Sequence, residues 1–472
     1  MKLTLRRRIW QSLAATTFAR AVQFGYVLVL VPVLLVSWGT EVYGEWMILT
    51  AIAGFGSLSN LGIVQASASE IMLAVGARDG ERASKVYITS IVAVLAVVVL
   101  TLTIAWGSIQ VIDLKTYFAV TLIPSNAAAN TLLLALGSTV LSAFIPPFSA
   151  ALSAVVGNGL STVVGALIKI GELLAIWAVA YAGGGPALVS AMLVISIGIS
   201  VAIHIVLVRI YVPWLSADLR YFDASILWRL VPSSLAQFSI FISTNTLGVQ
   251  LPRVILGHLM GPTAVALFTV TITYARTART LTSLFSQALQ VEATRAFAEK
   301  EHERLIRMVR GLCQIHLWLS VVLVSVLILA GKQLFVLWTH GKIPFDLELC
   351  ILVSLGFIAG SFGDAILVVL IGINRIMPVA IGHVASVVLS VTLAALLVPK
   401  WGAASMVAAM IIPELVAAGI GMLTFTRLVS LSFPEFFVST LRLPVDMIRR
   451  ELMQVTRVVC GNARNWRWGA GN

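Results

Sequence analysis

Apolar runs of about 20 residues, each long enough to cross the hydrocarbon core of a bilayer, recur from the N-terminus to about Phe425. A single water-facing core has no use for so many. In lipid, unpaired backbone N–H and C=O groups cost several kcal/mol each, so such runs are helices unless they pair into a closed barrel. Barrel strands alternate in polarity and last about ten residues. Residues 88–106 (ITSIVAVLAVVVLTLTIAW) and 317–330 do neither. Only 11% of the chain is charged, against about 25% in soluble domains. The fold class expected is an all-α polytopic membrane protein.

The windows predict twelve spans, at roughly 12–36, 43–65, 86–108, 127–150, 158–181 and 186–208, then 230–256, 263–285, 309–330, 347–372, 376–398 and 402–425. Of the 32 lysines and arginines, 23 fall on one side of that topology. Four (Lys115, Lys332, Lys342 and Lys400) fall on the other, and five (Arg20, Lys169, Arg253, Arg276 and Arg279) lie inside helices. Short cytoplasmic loops are enriched in positive residues, so both termini are expected to be cytoplasmic. The net charge of +12 follows from this topology and gives no reason to invoke nucleic acid. The apolar stretch behind Lys2, Arg6, Arg7 and Arg8 is of full membrane length without a small-residue cleavage site, which makes it a retained first helix. Past residue 426, Arg442, Arg449, Arg450 and Arg457 alternate with apolar residues, a pattern suited to a basic amphipathic helix on anionic lipid. Trp466 and Trp468 suit the same interface. Partner binding by this tail is the alternative.

Shifting the sequence by 222 residues aligns Ser12, Leu13 and Ala14 with Ser234, Leu235 and Ala236, Gly39 with Gly261, Glu70 with Glu292 and Arg82 with Arg304. A four-residue adjustment sets Gly184, Val189, Ala191 and Met192 opposite Gly402, Val407, Ala409 and Met410. A repeat of six spans is even, so both halves enter the membrane in the same sense, about an axis along its normal. The organisation expected is an N-lobe (1–208), a cytoplasmic linker (209–229), a C-lobe (230–425) and a basic cytoplasmic tail (426–472). Such a two-lobed plan places a substrate between the lobes and alternates access by rocking.

An ionisable side chain at mid-helix costs at least about 2.5–3.5 kcal/mol, so those five basic residues are functional candidates. Arg276 lies ~15 Å from its helix end, Arg20 ~12 Å and Arg279 ~9 Å, at 1.5 Å per residue. Arg276 and Arg279, at i and i+3, share a helix face and form a candidate fork for a phosphate-bearing group. Structural pairing with carbonyls or acidic neighbours is the alternative. Arg253 reads as a snorkelling anchor. Lys169 and Glu172, also i and i+3, read first as an ion pair, with Lys169 a further substrate contact and Glu172 a further coupling-ion candidate. Asp364 and Glu414 have no partner nearby in sequence. They are coupling-ion candidates unless an arginine from another helix pairs with them, and Pro413 interrupts the hydrogen bonding just before Glu414. Glu70 and Glu292 read as structural caps.

Residues 43–63 (YGEWMILTAIAGFGSLSNLGI), 261–274 (GPTAVALFTVTITY) and 337–341 (LWTHG) resemble segments of the polysaccharide-biosynthesis flippases. These are the O-antigen-type branch of the multidrug/oligosaccharidyl-lipid/polysaccharide exporter superfamily, and the similarity extends over about residues 6–427. The resemblance implies an undecaprenyl-pyrophosphate-linked sugar as cargo, a proton or sodium gradient as drive and a bacterial inner membrane as location. It also implies glycan polymerases and glycosyltransferases as partners, and arginines of the first and eighth helices around a cationic cavity. Arg20, Arg276 and Arg279 occupy those helices.

No enzyme is expected. The six histidines are scattered, Gly183–Gly184–Gly185 lacks the Gly-Lys-Ser/Thr of a phosphate loop, and the three cysteines show no metal-ligand spacing. A multidrug exporter is the nearest rival, although cationic drugs call for acidic cavities. A glycan polymerase lacks its large periplasmic loop, and a scaffold has no use for lone mid-membrane charges.

Overall fold

The computed structural model describes residues 2–60, 63–216, 218–373 and 375–443, and among them it contains helices and no strand. Helix Lys2–Gly54 is two passes joined at Gly39, whose φ of 76° and ψ of 175° leave the helical region. Helix Met377–Leu428 is likewise two, broken at Gly402 (φ 62°). A residue without Cβ takes such angles readily. With helices Gly80–Val111, Gly159–Tyr181, Pro186–Tyr211, Pro262–Ala298, His302–Leu329 and Leu347–Gly372, and with the composite fourth and seventh passes, twelve spans result among the described residues.

Spans start earlier or end later than hydropathy windows suggest. The first is helical from Lys2, the second continues in Ile63–Gly76 and the eighth reaches Ala298. Windows register apolar residues, whereas the first and eighth helices run on into basic and polar ends. The fourth span bends through a 3-10 turn at Ser142–Phe144. The seventh joins helices Ala224–Phe241 and Leu251–Met260 through a π-helical stretch, Ile242–Gln250.

The two six-helix lobes share their break geometry. Gly39 opens the second span at φ 76°, ψ 175°, and Gly261, its partner at the 222-residue offset, opens the eighth at φ 83°, ψ 177°. These two helix starts pack backbone to backbone, because a Cβ on Gly44 would lie 2.0 Å from the Pro262 carbonyl oxygen. One apolar cluster crosses from lobe to lobe here, with Leu34, Leu35, Ile48 and Leu49 on one side and Leu256, Val265 and Phe335 on the other. Leu100, Trp106, Leu167, Leu389 and Leu396 stay exposed on outer faces, as a lipid-facing surface requires.

Between the lobes, the Ser216 N–H donates to Ser84 Oγ (3.1 Å) and the Asp223 N–H to Thr89 Oγ1 (3.0 Å), so the connection is held on the third span. Past the twelfth span, helix Phe433–Leu441 packs onto the C-terminal lobe. Phe436 is buried against Phe425, and Gln314 Nε2 donates to the Ser439 carbonyl (2.8 Å). The start of the expected surface tail is thus core, because its sequence, FPEFFVSTL, is apolar. Arg449, Arg450, Arg457, Trp466 and Trp468, which carried that expectation, lie outside the described residues.

Candidate functional site

The eighth span carries Arg276 and Arg279 three residues apart, and their guanidinium groups have different surroundings. Arg279 turns to the tenth and twelfth spans. Its Nε and Nη2 donate to Asp364 Oδ2 and Oδ1 (2.7 Å each), while Nη1 and Nη2 donate to Glu414 Oε1 (2.7 Å) and Oε2 (3.2 Å). One planar fork therefore serves two carboxylates, which suits a group with five fixed donors. Gly360 makes the room, since a Cβ there would lie 2.4 Å from Glu414 Oε2. Pro413 lacks the N–H that would bond the Ala409 carbonyl four residues back, and the Ser390 hydroxyl of the eleventh span donates to that carbonyl instead.

Beside this clasp lies a cavity of about 380 Å³, at the lower end of small-molecule sites. Spans seven, eight, ten, eleven and twelve all line it. Arg276 is exposed at its wall, and Asp364, Glu414 and Arg279 each show about a quarter of their side-chain surface. The π-helical stretch contributes Ser243, Thr244, Asn245 and Gly248. His383 Nδ1 lies 2.8 Å from Ser243 Oγ, joining the eleventh span to this stretch. Wide π turns inside α-helices recur at functional sites.

The N-terminal lobe has its own polar centre. Buried Glu172 accepts from Tyr26 Oη and Lys169 Nζ at one oxygen (2.6 Å each) and from Ser196 Oγ at the other (2.6 Å), tying the first, fifth and sixth spans. The Lys169 amine also lies 4.8 Å from the centre of the Tyr26 ring, within cation–π range. Lys169 and Glu172 line a second cavity with Ser57 and Ser142, whose far wall includes Phe241 of the other lobe.

The structure thus brings together Arg276, Arg279, Asp364 and Glu414, and separately Lys169 and Glu172. The chamber with the arginines lies within the C-terminal lobe rather than between lobes, since its walls come from spans seven, eight, ten, eleven and twelve. Arg20 is half-buried in the first span and is not among the described residues lining that chamber. Arg253 donates to Gln250 Oε1 one turn back (3.2 Å). Glu70 bonds Arg82 of the third span instead of capping its own helix, and the side chain of Glu292 lies outside the described residues. Among the described residues, no group of His, Cys, Asp or Glu is arranged to hold a metal ion.

Three features escaped the sequence reading. Buried Glu45 accepts from the N–H groups of Thr121 (2.6 Å), Leu122 (2.7 Å) and Ile123 (2.8 Å), anchoring the loop after the third span. Its signal was a carboxylate in the second span beside Gly44 and Trp46. The polar run at 243–246, Ser-Thr-Asn-Thr in mid-span, was also visible. His383 gave none beyond being a histidine within a span.

The sequence matches no family model and no curated protein. The fold does match solved transporters. An inward-facing multidrug resistance MATE family transporter of the MOP superfamily superposes with a TM-score of 0.59 at 17% identity, over 89% of this chain and 94% of that one. An outward-facing MATE family transporter of the MOP superfamily gives 0.58 at 18%, covering 90% and 95%. A MOP superfamily transporter from Pyrococcus furiosus, described as having a binding pocket of reverse polarity, gives 0.57 at 18%, again over 90% and 95%. The chain has the twelve-helix, two-lobed fold of MATE transporters.

Proposed function

We propose that the protein is a secondary transporter that carries an amphiphilic anion across a membrane by alternating access, with Arg276 contacting the anionic group. The observation that carries this reading is the division of charge at the cavity. Asp364 and Glu414 face Arg279, whereas Arg276 is exposed at the wall. Likeness of fold to exporters supports transport. Likeness of residues 43–63, 261–274 and 337–341 to the polysaccharide flippases supports a finer reading. In it, the cargo is an undecaprenyl-pyrophosphate-linked oligosaccharide, the membrane is a bacterial inner membrane with both termini cytoplasmic, and glycosyltransferases and a polymerase work before and after it. A cavity of about 380 Å³ suits the phosphate region of such a cargo. A proton or sodium gradient supplies the drive, and Glu172, Asp364 and Glu414 are the carboxylates considered for coupling.

Efflux of small drugs is the second reading, favoured by the multidrug exporters among the structural relatives and by the partly exposed Asp364 and Glu414. Proteoliposomes separate the two. A fluorescent polyprenyl-pyrophosphate sugar should cross with the protein present, and Arg276→Gln should slow it at least about tenfold, the loss of one charge-assisted contact. Movement of ethidium without movement of the pyrophosphate lipid would reverse the assignment.

A further inference from the structure

We infer that the guanidinium of Arg279 stands where a bound monovalent cation would otherwise sit, so that the C-terminal lobe carries its own counter-ion and takes no sodium ion between Asp364 and Glu414. This deepens the transport reading by removing one candidate coupling site, but its test reads cation binding and not transport.

Two carboxylates from different spans converge here. Side by side in a weakly polar interior they cannot both stay ionised without a neutralising partner, which is a proton, a metal cation or a basic side chain. The chain supplies the last. All four carboxylate oxygens already accept a hydrogen bond from Arg279, at 2.7–3.2 Å. A sodium ion placed between them needs those same oxygens as ligands and would sit against a fixed positive charge. The packing leaves no slack on the tenth span, where a Cβ on Gly360 would also lie 3.1 Å from Arg279 Nη1. The other charged or titratable groups lining the cavity are Arg276, on the same helix, and His383, half-buried on the eleventh span. Neither adds a negative charge that would draw a cation in. The N-terminal lobe has a simpler pair on one helix, Lys169 Nζ lying 2.6 Å from Glu172 Oε1. A tethered cation is therefore present in each lobe.

The experiment uses the purified full-length protein at pH 8.5, comparing sodium chloride with N-methyl-D-glucamine chloride at equal ionic strength. The readouts are sodium-22 binding and melting temperature. The parent should show no saturable sodium-22 binding and the same melting temperature in both salts. Arg279→Gln leaves the carboxylates facing each other. It should gain saturable sodium-22 binding, about tenfold over the parent signal, and a sodium-dependent rise in melting temperature, both abolished by adding Asp364→Asn. Arg279→Lys keeps the tethered charge and should stay insensitive to sodium. Saturable sodium binding by the parent that Asp364→Asn abolishes overturns the inference, as does a folded Arg279→Gln that binds none. Should Arg279→Gln not fold, the parent and Asp364→Asn measurements decide alone. A protein that passes this test yet moves no pyrophosphate lipid refutes the cargo assignment and leaves the tethered cation standing.

Discussion

Pro32 and Trp338 form a linked pair whose disruption has a calculable effect. Pro32 sits in the first span and has no N–H, so the Leu28 carbonyl four residues back loses its intrahelical donor. Trp338, from helix Gly331–Thr339 of the other lobe, supplies one, with Nε1 2.9 Å from that oxygen. The indole is held for the task, stacked on Tyr274 with centroids 6.0 Å apart and edge-on to Phe335 at 6.2 Å. Trp338→Phe keeps much of the ring packing and removes the donor. A half-buried carbonyl left without its partner costs about 1 kcal/mol, the lower end of the range for unsatisfied groups. That free energy acts only when the lobes are joined at this end, so the ratio of joined to separated molecules should fall about fivefold. Spin labels at Thr40 and Lys342, which are hydrogen-bonded across the same mouth (2.9 Å), report the two populations by distance. Pro32→Ala restores an N–H for Leu28, so Trp338→Phe should then have almost no effect, a coupling of about 1 kcal/mol in a double-mutant cycle. An unchanged distance distribution in Trp338→Phe, or an equal shift in both backgrounds, would refute the reasoning.

Gly360→Ala should lower the melting temperature, because the new methyl group displaces Glu414 by about 1 Å and costs about 2–4 kcal/mol from the clasp once its partial exposure is allowed for. Adding Glu414→Asp, one methylene shorter, should recover part of the loss. Glu45→Ala strips three backbone N–H groups of their acceptor, and limited proteolysis within residues 112–124 should accelerate at least about tenfold; parent-like resistance would mean the loop is held by other contacts. Ser390→Ala leaves the carbonyl below Pro413 without a donor and should destabilise by about 1 kcal/mol, whereas Ser390→Thr should not, as measured by thermal melts.

Hydropathy made the twelve spans legible because lipid forces every apolar run into the same structure, and the 222-residue offset foretold that Gly39 and Gly261 would do the same work. Lys169 with Glu172 was readable too, since i,i+3 spacing leaves little choice of neighbour. The partners of Arg279 were not. Asp364 and Glu414 are 85 and 135 residues away, and the spacing with Arg276 suggested a fork facing cargo when one of its tines faces the protein. Glu45 was missed for a related reason. A carboxylate near a helix start reads as an interfacial residue until the folded loop brings three N–H groups onto it. Proline was a signal used only in part, at Pro413. Pro32 and Pro413 each mark a carbonyl in need of a donor, and both have theirs supplied from another helix.

The three groups of the C-terminal clasp also have counterparts in the other lobe. At the offsets that align the two halves, Arg279 falls opposite Ser57, Asp364 opposite Ser142 and Glu414 opposite Ser196. A symmetric dimer of identical six-helix chains must place the same side chains twice, and two carboxylates gained at once would appear as four. Joined in one polypeptide, the copies are released from that symmetry. The C-terminal half holds ions at these three positions where the N-terminal half holds hydroxyls, and the N-terminal half places its own ion pair elsewhere, at Lys169 and Glu172.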